Sequence, residues 1–272
     1  MIAHARQHVL LFAAVAALAG GCSGERDPKT PQEASARGDE LMRKMSDTLK
    51  NAQSFSFTVA ESHEQVRRTG AKAPYTLSRE VIVRRPNRLW SHTTGSDARD
   101  VRVTYDGQAV TVIGDRQKIY ATVKAPATLD ETLDLISERF DLRVSVADFL
   151  YSSPYDSFAE SGAKGGWVRR TVMDGRACEE LSYVLTDVDV TLSVSAASPT
   201  LPCQASITFK EEPGKPVTQL VFSNWNLDAR PPDSQFVANV PEGYELIPIV
   251  ERIPKTELKK DPAAAMGTAP KK

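Results

Sequence analysis

Residues 100–113 read DVRVTYDGQAVTVI. Val101, Val103 and Tyr105 alternate with Arg102 and Thr104, then Asp106-Gly107 intervenes, and Val110 and Val112 resume the alternation. A period of two places the apolar side chains on one face of a strand and the polar ones on the other. Asp-Gly accepts the positive φ of a tight turn, so the segment folds back on itself as an antiparallel hairpin.

The same period extends in both directions. In SFSFTV, Phe55, Phe57 and Val59 alternate with Ser54, Ser56 and Thr58; YTLSREVIV repeats the pattern with Tyr75, Leu77, Val81 and Val83. KIYATV follows Gly114-Asp115 as another strand. After Trp167 a hairpin turns at Asp174-Gly175, VDVTLSV alternates Val188, Val190, Leu192 and Val194, and ASITF and TQLVFSNW complete the series around Pro213-Gly214.

Helices interrupt this at two places. From Ala34 to Ala52, Leu41, Met45 and Leu49 form one apolar stripe at helical spacing. Thr128-x-x-Glu131 is a capping box that opens a second helix, with Leu129, Leu133, Ile136 and Phe140 on one face. Ser153-Pro154 begins a further helical piece, with Ser at the N-cap and Pro at the first position. Strand runs joined by short turns, with helices only at the start and middle, predict an α+β fold: a single curved antiparallel sheet with helices on its apolar face.

The N-terminus supplies an address. Arg6 precedes an apolar run, Val9–Leu18, that is well short of the roughly 20 residues a membrane-spanning helix needs. A basic start, a short apolar core and small residues describe a signal peptide over residues 1–21. Ala19-Gly20-Gly21-Cys22 resembles a bacterial lipobox, with Ala19 where Leu is usual, which makes Cys22 the expected lipidation site. Ser23 in place of Asp favours the outer membrane, facing the periplasm. Residues 22–33 then read as the lipidated cysteine and a polar tether, 34–254 as the folded domain, and 255–272 as a charged, Ala/Pro-rich disordered tail. The alternative is ordinary cleavage that releases a soluble periplasmic protein.

Export makes a disulfide between Cys178 and Cys203 the expected state of the two remaining cysteines. If VDVTLSV lies between their strands, plain pairing sets them too far apart, so that middle strand must stop short near Ala196-Ala197.

Composition excludes several functions. With 34 basic and 35 acidic side chains, net charge −1, the chain lacks the basic surface that nucleic acid requires. No nucleophile elbow, zincin helix or phosphate loop is present, nor any Cys/His spacing for a metal, so no catalytic residue, metal or cofactor is expected. His63, among Glu61, Glu64 and Arg67, and His92, after Trp90, read as solvated strand residues; Asp187 and Asp189 read as a wet sheet face.

Several motifs carry a resemblance. VRRPNRLW (Val83–Trp90), YDGQAVTVIGDRQKIYAT and FVANVPEGYELI are similar to strands of the Lol-type (LolA/LolB-like) periplasmic lipoprotein-carrier superfamily. ATLDETLD, VADFL, DGRACEEL and LPC resemble a family of predicted periplasmic proteins of unknown function within it. The resemblance spans about Ala34 to Ile249. It implies an open half-barrel of about eleven antiparallel strands, with helices covering the concave face. In the carriers that face holds acyl chains, and an arginine of the Arg-Pro strand bonds to the lid; it falls on Arg85. The implied function is non-enzymatic binding of an acyl chain, such as palmitate, or of another hydrophobic ligand. Phe55, Phe57, Val81, Val83, Val101, Val103, Val190 and Leu192 are the expected cavity lining. The competing expectation is a filled core and an envelope-assembly protein that holds a protein partner.

Overall fold

A computed structural model describes residues 26–66, 71–140 and 144–249. Cys22, the expected signal peptide and the 255–272 tail lie outside these residues. Helix α1 (Pro31–Asn51) is followed by six strands: β1 (Ser54–Val66), β2 (Lys72–Arg84), β3 (Arg88–Gly95), β4 (Asp100–Tyr105), β5 (Ala109–Gly114) and β6 (Ile119–Lys124). Helix α2 (Leu129–Phe140), a one-turn 3-10 helix (Ala147–Phe149) and α3 (Pro154–Glu160) come next. Five strands complete the meander: β7 (Lys164–Met173), β8 (Arg176–Val184), β9 (Val188–Ser195), β10 (Pro202–Phe209) and β11 (Val217–Asn226). A second 3-10 turn (Asp233–Phe236) leads to β12 (Glu245–Leu246).

All strands belong to one sheet in the order β12-β6-β5-β4-β3-β2-β1-β11-β10-β9-β8-β7. Neighbours pair antiparallel, except that β12 runs parallel to β6. The two meanders join where β1 meets β11, and β7 and β12 are left as unclosed edges. The fold is therefore an α+β open half-barrel. It has twelve strands rather than about eleven, because the two-residue β12 is too short to leave a periodic signal.

Local chemistry explains the turns. The Asp106 carboxylate accepts the amides of Gln108 and Ala109 while Gly107 takes φ +88°. Asp174 and Gly175 both have positive φ, as a two-residue hairpin requires. Helix α1 begins at Pro31, earlier than the expected Ala34, so the polar segment 22–33 ends inside a helix. Thr30 accepts from the Glu33 amide and Glu33 reaches back to the Thr30 amide, a capping box with Pro at the helix start. At α3 the N-cap is Ser153, but its side chain makes no capping bond.

Cys178 and Cys203 form a disulfide with Cα atoms 7.0 Å apart. β9 ends at Ser195, opposite Cys178, and Cys203 is the extra residue of a bulge between Pro202 and Gln204. The bulge, which alternation alone does not reveal, shares with the strand end the task of bringing the cysteines together.

The stripe Leu41, Met45 and Leu49 is buried on the sheet, with Met42 beside it. Helix α1 packs against β7 through glycines: a Cβ on Gly38 would lie 2.6 Å from the Gly166 Cα and 2.7 Å from the Tyr183 hydroxyl. Arg37 adds a bond to the buried Glu179 carboxylate at 3.2 Å, which Trp167 Nε1 also reaches. Gly38→Val should destabilise the protein by about 1–3 kcal/mol, because backbone rather than a flexible side chain must yield. A lower urea midpoint with an unchanged m value is the expected reading.

Candidate functional site

The register assigns the concave face. Phe55, Phe57, Val59, Glu61 and His63 of β1 lie opposite Val83, Val81, Arg79, Leu77 and Tyr75 of β2, and Val59 and Glu61 opposite Phe222 and Leu220 of β11. The middle of this face is filled. Phe57 stacks on Trp225 with centroids 4.4 Å apart, and Phe149, from the 3-10 turn above, meets Phe222 edge-on at 4.8 Å. Phe55, Phe57, Phe222 and Leu150 are all within 2 % of complete burial.

Towards β9 and β10 the lid stands off the sheet and leaves a cavity of about 420 Å³. Its floor is Val188, Val190 and Leu192 of β9 with Ala205, Ile207 and Phe209 of β10. Met42 and Met45 of α1, Leu133 and Ile136 of α2, Phe149, and Phe158 of α3 form the roof and walls. The volume falls in the range of roughly 300–1,000 Å³ typical of small-molecule sites.

Of the eight expected lining residues, only Val190 and Leu192 border this space. Phe55, Phe57, Val81 and Val83 are buried in the filled middle, Val103 packs against that core, and Val101 lies on the partly buried stretch of β4. The apolar alternation on β1 and β2 faces the core, and the 3-10 turn carrying Phe149 fills that half. Ala205, Ile207 and Phe209 alternate just as plainly in ASITF; the helical residues that complete the walls carry no strand signal at all.

Arg85 holds the lid from below. Its Nη1 donates to the Leu150 carbonyl at 3.1 Å and its Nη2 to the Tyr151 carbonyl at 2.8 Å. The guanidinium also sits 5.5 Å over the Phe55 ring. Burial lowers its pKa, partly offset by Asp130.

A second tether is built around Glu61, whose side chain is fully buried. Its carboxylate accepts from Arg79 Nε at 2.7 Å, His63 Nε2 at 2.9 Å and the Ser145 hydroxyl at 2.7 Å. His63 Nε2 must be the donor, because the carboxylate has no proton to give. Its Nδ1 bonds to the Thr218 hydroxyl, and its ring stacks on Tyr75. His63 is therefore a mostly buried structural link, not the solvated residue expected. Burial alone would raise the Glu61 pKa; the His63 bond, the charge and bond of Arg79, and the Ser145 hydroxyl overcome it and hold the group at about 2. Ser145 lies in the segment that carries Phe149, so this cluster fastens the lid to β1 and β2.

Two of the other polar candidates are occupied by neighbours. His92 bonds to Asp100 at 2.8 Å, and Asp189 pairs with Lys210 at 3.2 Å. Among the described residues no group of three or more His, Cys, Asp or Glu side chains is placed to hold a metal, and no helix is long and apolar enough to cross a membrane.

An open half-barrel with a helical lid over an apolar cavity defines the structural class. Within it, the chain belongs to the DUF2092 family of predicted periplasmic proteins, whose sequence profile matches residues 38–250. No curated protein matches the sequence. Among solved structures, the chain is similar to the lipoprotein LppX of Mycobacterium tuberculosis (17 % identity, TM-score 0.43, covering 71 % of this chain and 96 % of that one). It is also similar to an uncharacterised conserved protein of Thermus thermophilus (8 % identity, TM-score 0.46, covering 77 % and 97 %). A third likeness is to a LolA-superfamily protein of Nitrosomonas europaea (14 % identity, TM-score 0.36, covering 78 % and 99 %).

Two consequences can be measured. The Glu61 pKa lies below its ordinary 4.5, so its contribution is complete above pH 4.5 and is lost as pH falls from 4.5 towards 2. At about 1.4 kcal/mol per unit this amounts to about 3 kcal/mol. Acid unfolding of Glu61→Gln should lack that part of the pH dependence. Arg85→Ala frees two lid carbonyls, and hydrogen exchange should accelerate tenfold or more in residues 144–153 while β8 and β9 stay protected.

Proposed function

We propose that this protein is a non-enzymatic envelope protein that holds an acyl chain or similar hydrophobic ligand in the cavity between the lid and β9–β10. The carrying observation is a space of about 420 Å³ whose floor is entirely aliphatic or aromatic. Each methylene moved from water into such a space contributes roughly 0.8 kcal/mol, so a single chain can bind without any polar contact. The N-terminal sequence supports attachment through a lipid on Cys22, with the domain facing the periplasm from the outer membrane. Such an anchor makes the protein a local acceptor or holder of lipid rather than a freely diffusing shuttle.

Intact mass of the protein taken from membranes, with organic extraction of what accompanies it, tests both parts. A triacylated Cys22 with a stoichiometric lipid supports anchored lipid binding. An unmodified N-terminus removes the anchor but leaves a soluble carrier. Delipidated protein should also take up the neutral dye 1-N-phenylnaphthylamine saturably. Ile207→Trp, and separately Val190→Trp, should weaken that uptake tenfold or more while unfolding stays cooperative. Absence of any uptake would instead favour a protein whose folded domain serves a protein partner.

A further inference from the structure

The cavity is apolar but not uniformly so. Besides its aliphatic and aromatic residues it is bordered by serines, by Tyr151 and by Asp148. Asp148 brings the one carboxyl group, and no lysine, arginine or histidine among the described residues lines the space.

Asp148 belongs to the 3-10 turn whose next residue, Phe149, plugs the middle of the sheet. Phe149 points down into the aromatic cluster, and Asp148 borders the open half. Two other inward acids are paired where they stand: Glu61 with Arg79, and Glu179 with Arg37. Asp148 makes no hydrogen bond or ion pair with a described residue. It is solvent-accessible, yet burial raises its pKa above the usual aspartate value. The residue is exposed and borders the cavity, which places it where the cavity meets solvent.

A carboxylate in that position has two physical effects on what enters. It offers acceptor lone pairs that no described residue fills, and a ligand's donor can take them in a charge-assisted bond. It also repels a second negative charge, with no lysine, arginine or histidine among the described lining residues to offset the pair. From this arrangement we infer that the cavity selects amphiphiles whose polar end donates hydrogen bonds and carries no negative charge, such as hydroxyl-bearing acylglycerols, over fatty-acid anions. This rests on the cavity being the binding site, and it narrows the ligand within that reading. The acyl chain occupies the floor of Val190, Leu192 and Ile207, and the hydroxyl end faces Asp148.

The test is displacement of 1-N-phenylnaphthylamine at pH 8 by three twelve-carbon ligands kept below their micelle concentrations: monolaurin, laurate and dodecyltrimethylammonium. The unaltered protein should prefer monolaurin over laurate by tenfold or more, with the cation also ahead of laurate. In Asp148→Asn, which removes the charge at nearly constant shape, the monolaurin-to-laurate ratio should fall towards one, and Asp148→Ser should move it the same way. Dye uptake with laurate displacing as well as monolaurin from the unaltered protein overturns the selectivity and leaves the cavity as a binding site. A preference that survives in both variants also overturns it. No dye uptake by the unaltered protein overturns the cavity reading and the selectivity together.

Discussion

A twelve-stranded sheet that does not close has an apolar face it cannot bury by itself. Every other feature of this fold follows from that constraint. The inward alternation runs from β6 through β1 and β11 to β8, interrupted only by bulges where β1 meets β11 and at Cys203 of β10, so the concave face must be covered along its length. Among the described residues, the α-helices enter the chain at only two points, before β1 and between β6 and β7. The cover is therefore uneven. Where the Phe149 turn descends, the interior is as tightly filled as any core; where the helices bridge to β9 and β10, space remains.

The sequence discloses the sheet better than the cavity, for a physical reason. Period-two alternation in residues 100–113 or 188–194 depends only on one face being wet, and it is the same whether the dry face meets a helix, a ligand or nothing. Val81 and Val190 look alike in sequence, yet one is sealed beneath the lid and the other borders empty space. What separates them is the reach of one aromatic side chain on a three-residue turn, which leaves no periodic trace. The α1 start was legible in Thr30-Pro31-Gln32-Glu33, whose capping box is as plain as that of Thr128. The polar composition of the preceding stretch outweighs it when the segment is read as a tether. His63 misleads in another way: five polar or charged neighbours suggest water, but the register carries Glu61 and His63 along the same inward row as Phe55 and Phe57.

Charge is handled differently at the two ends of the lid. Near β1 and β2 the Glu61 carboxylate collects three donors, so a buried charge becomes a fastening between sheet and lid. Burying an acid so completely is tolerable only because each of its partners is also held by the sheet or by the lid segment. Asp148, three residues beyond Ser145, has no such company. One short stretch of chain thus carries a serine that satisfies a buried acid, an exposed acid with no partner among the described residues, and a phenylalanine that closes the core.

Arg85 grips main-chain oxygens of Leu150 and Tyr151 rather than their side chains. Such a grip is blind to the identity of the residues it holds. Substitutions at the tip of the lid can alter what borders the cavity without loosening the latch. Tyr151 both borders the cavity and is held through its carbonyl, so the adaptable surface and the fixed clasp are different atoms of one residue.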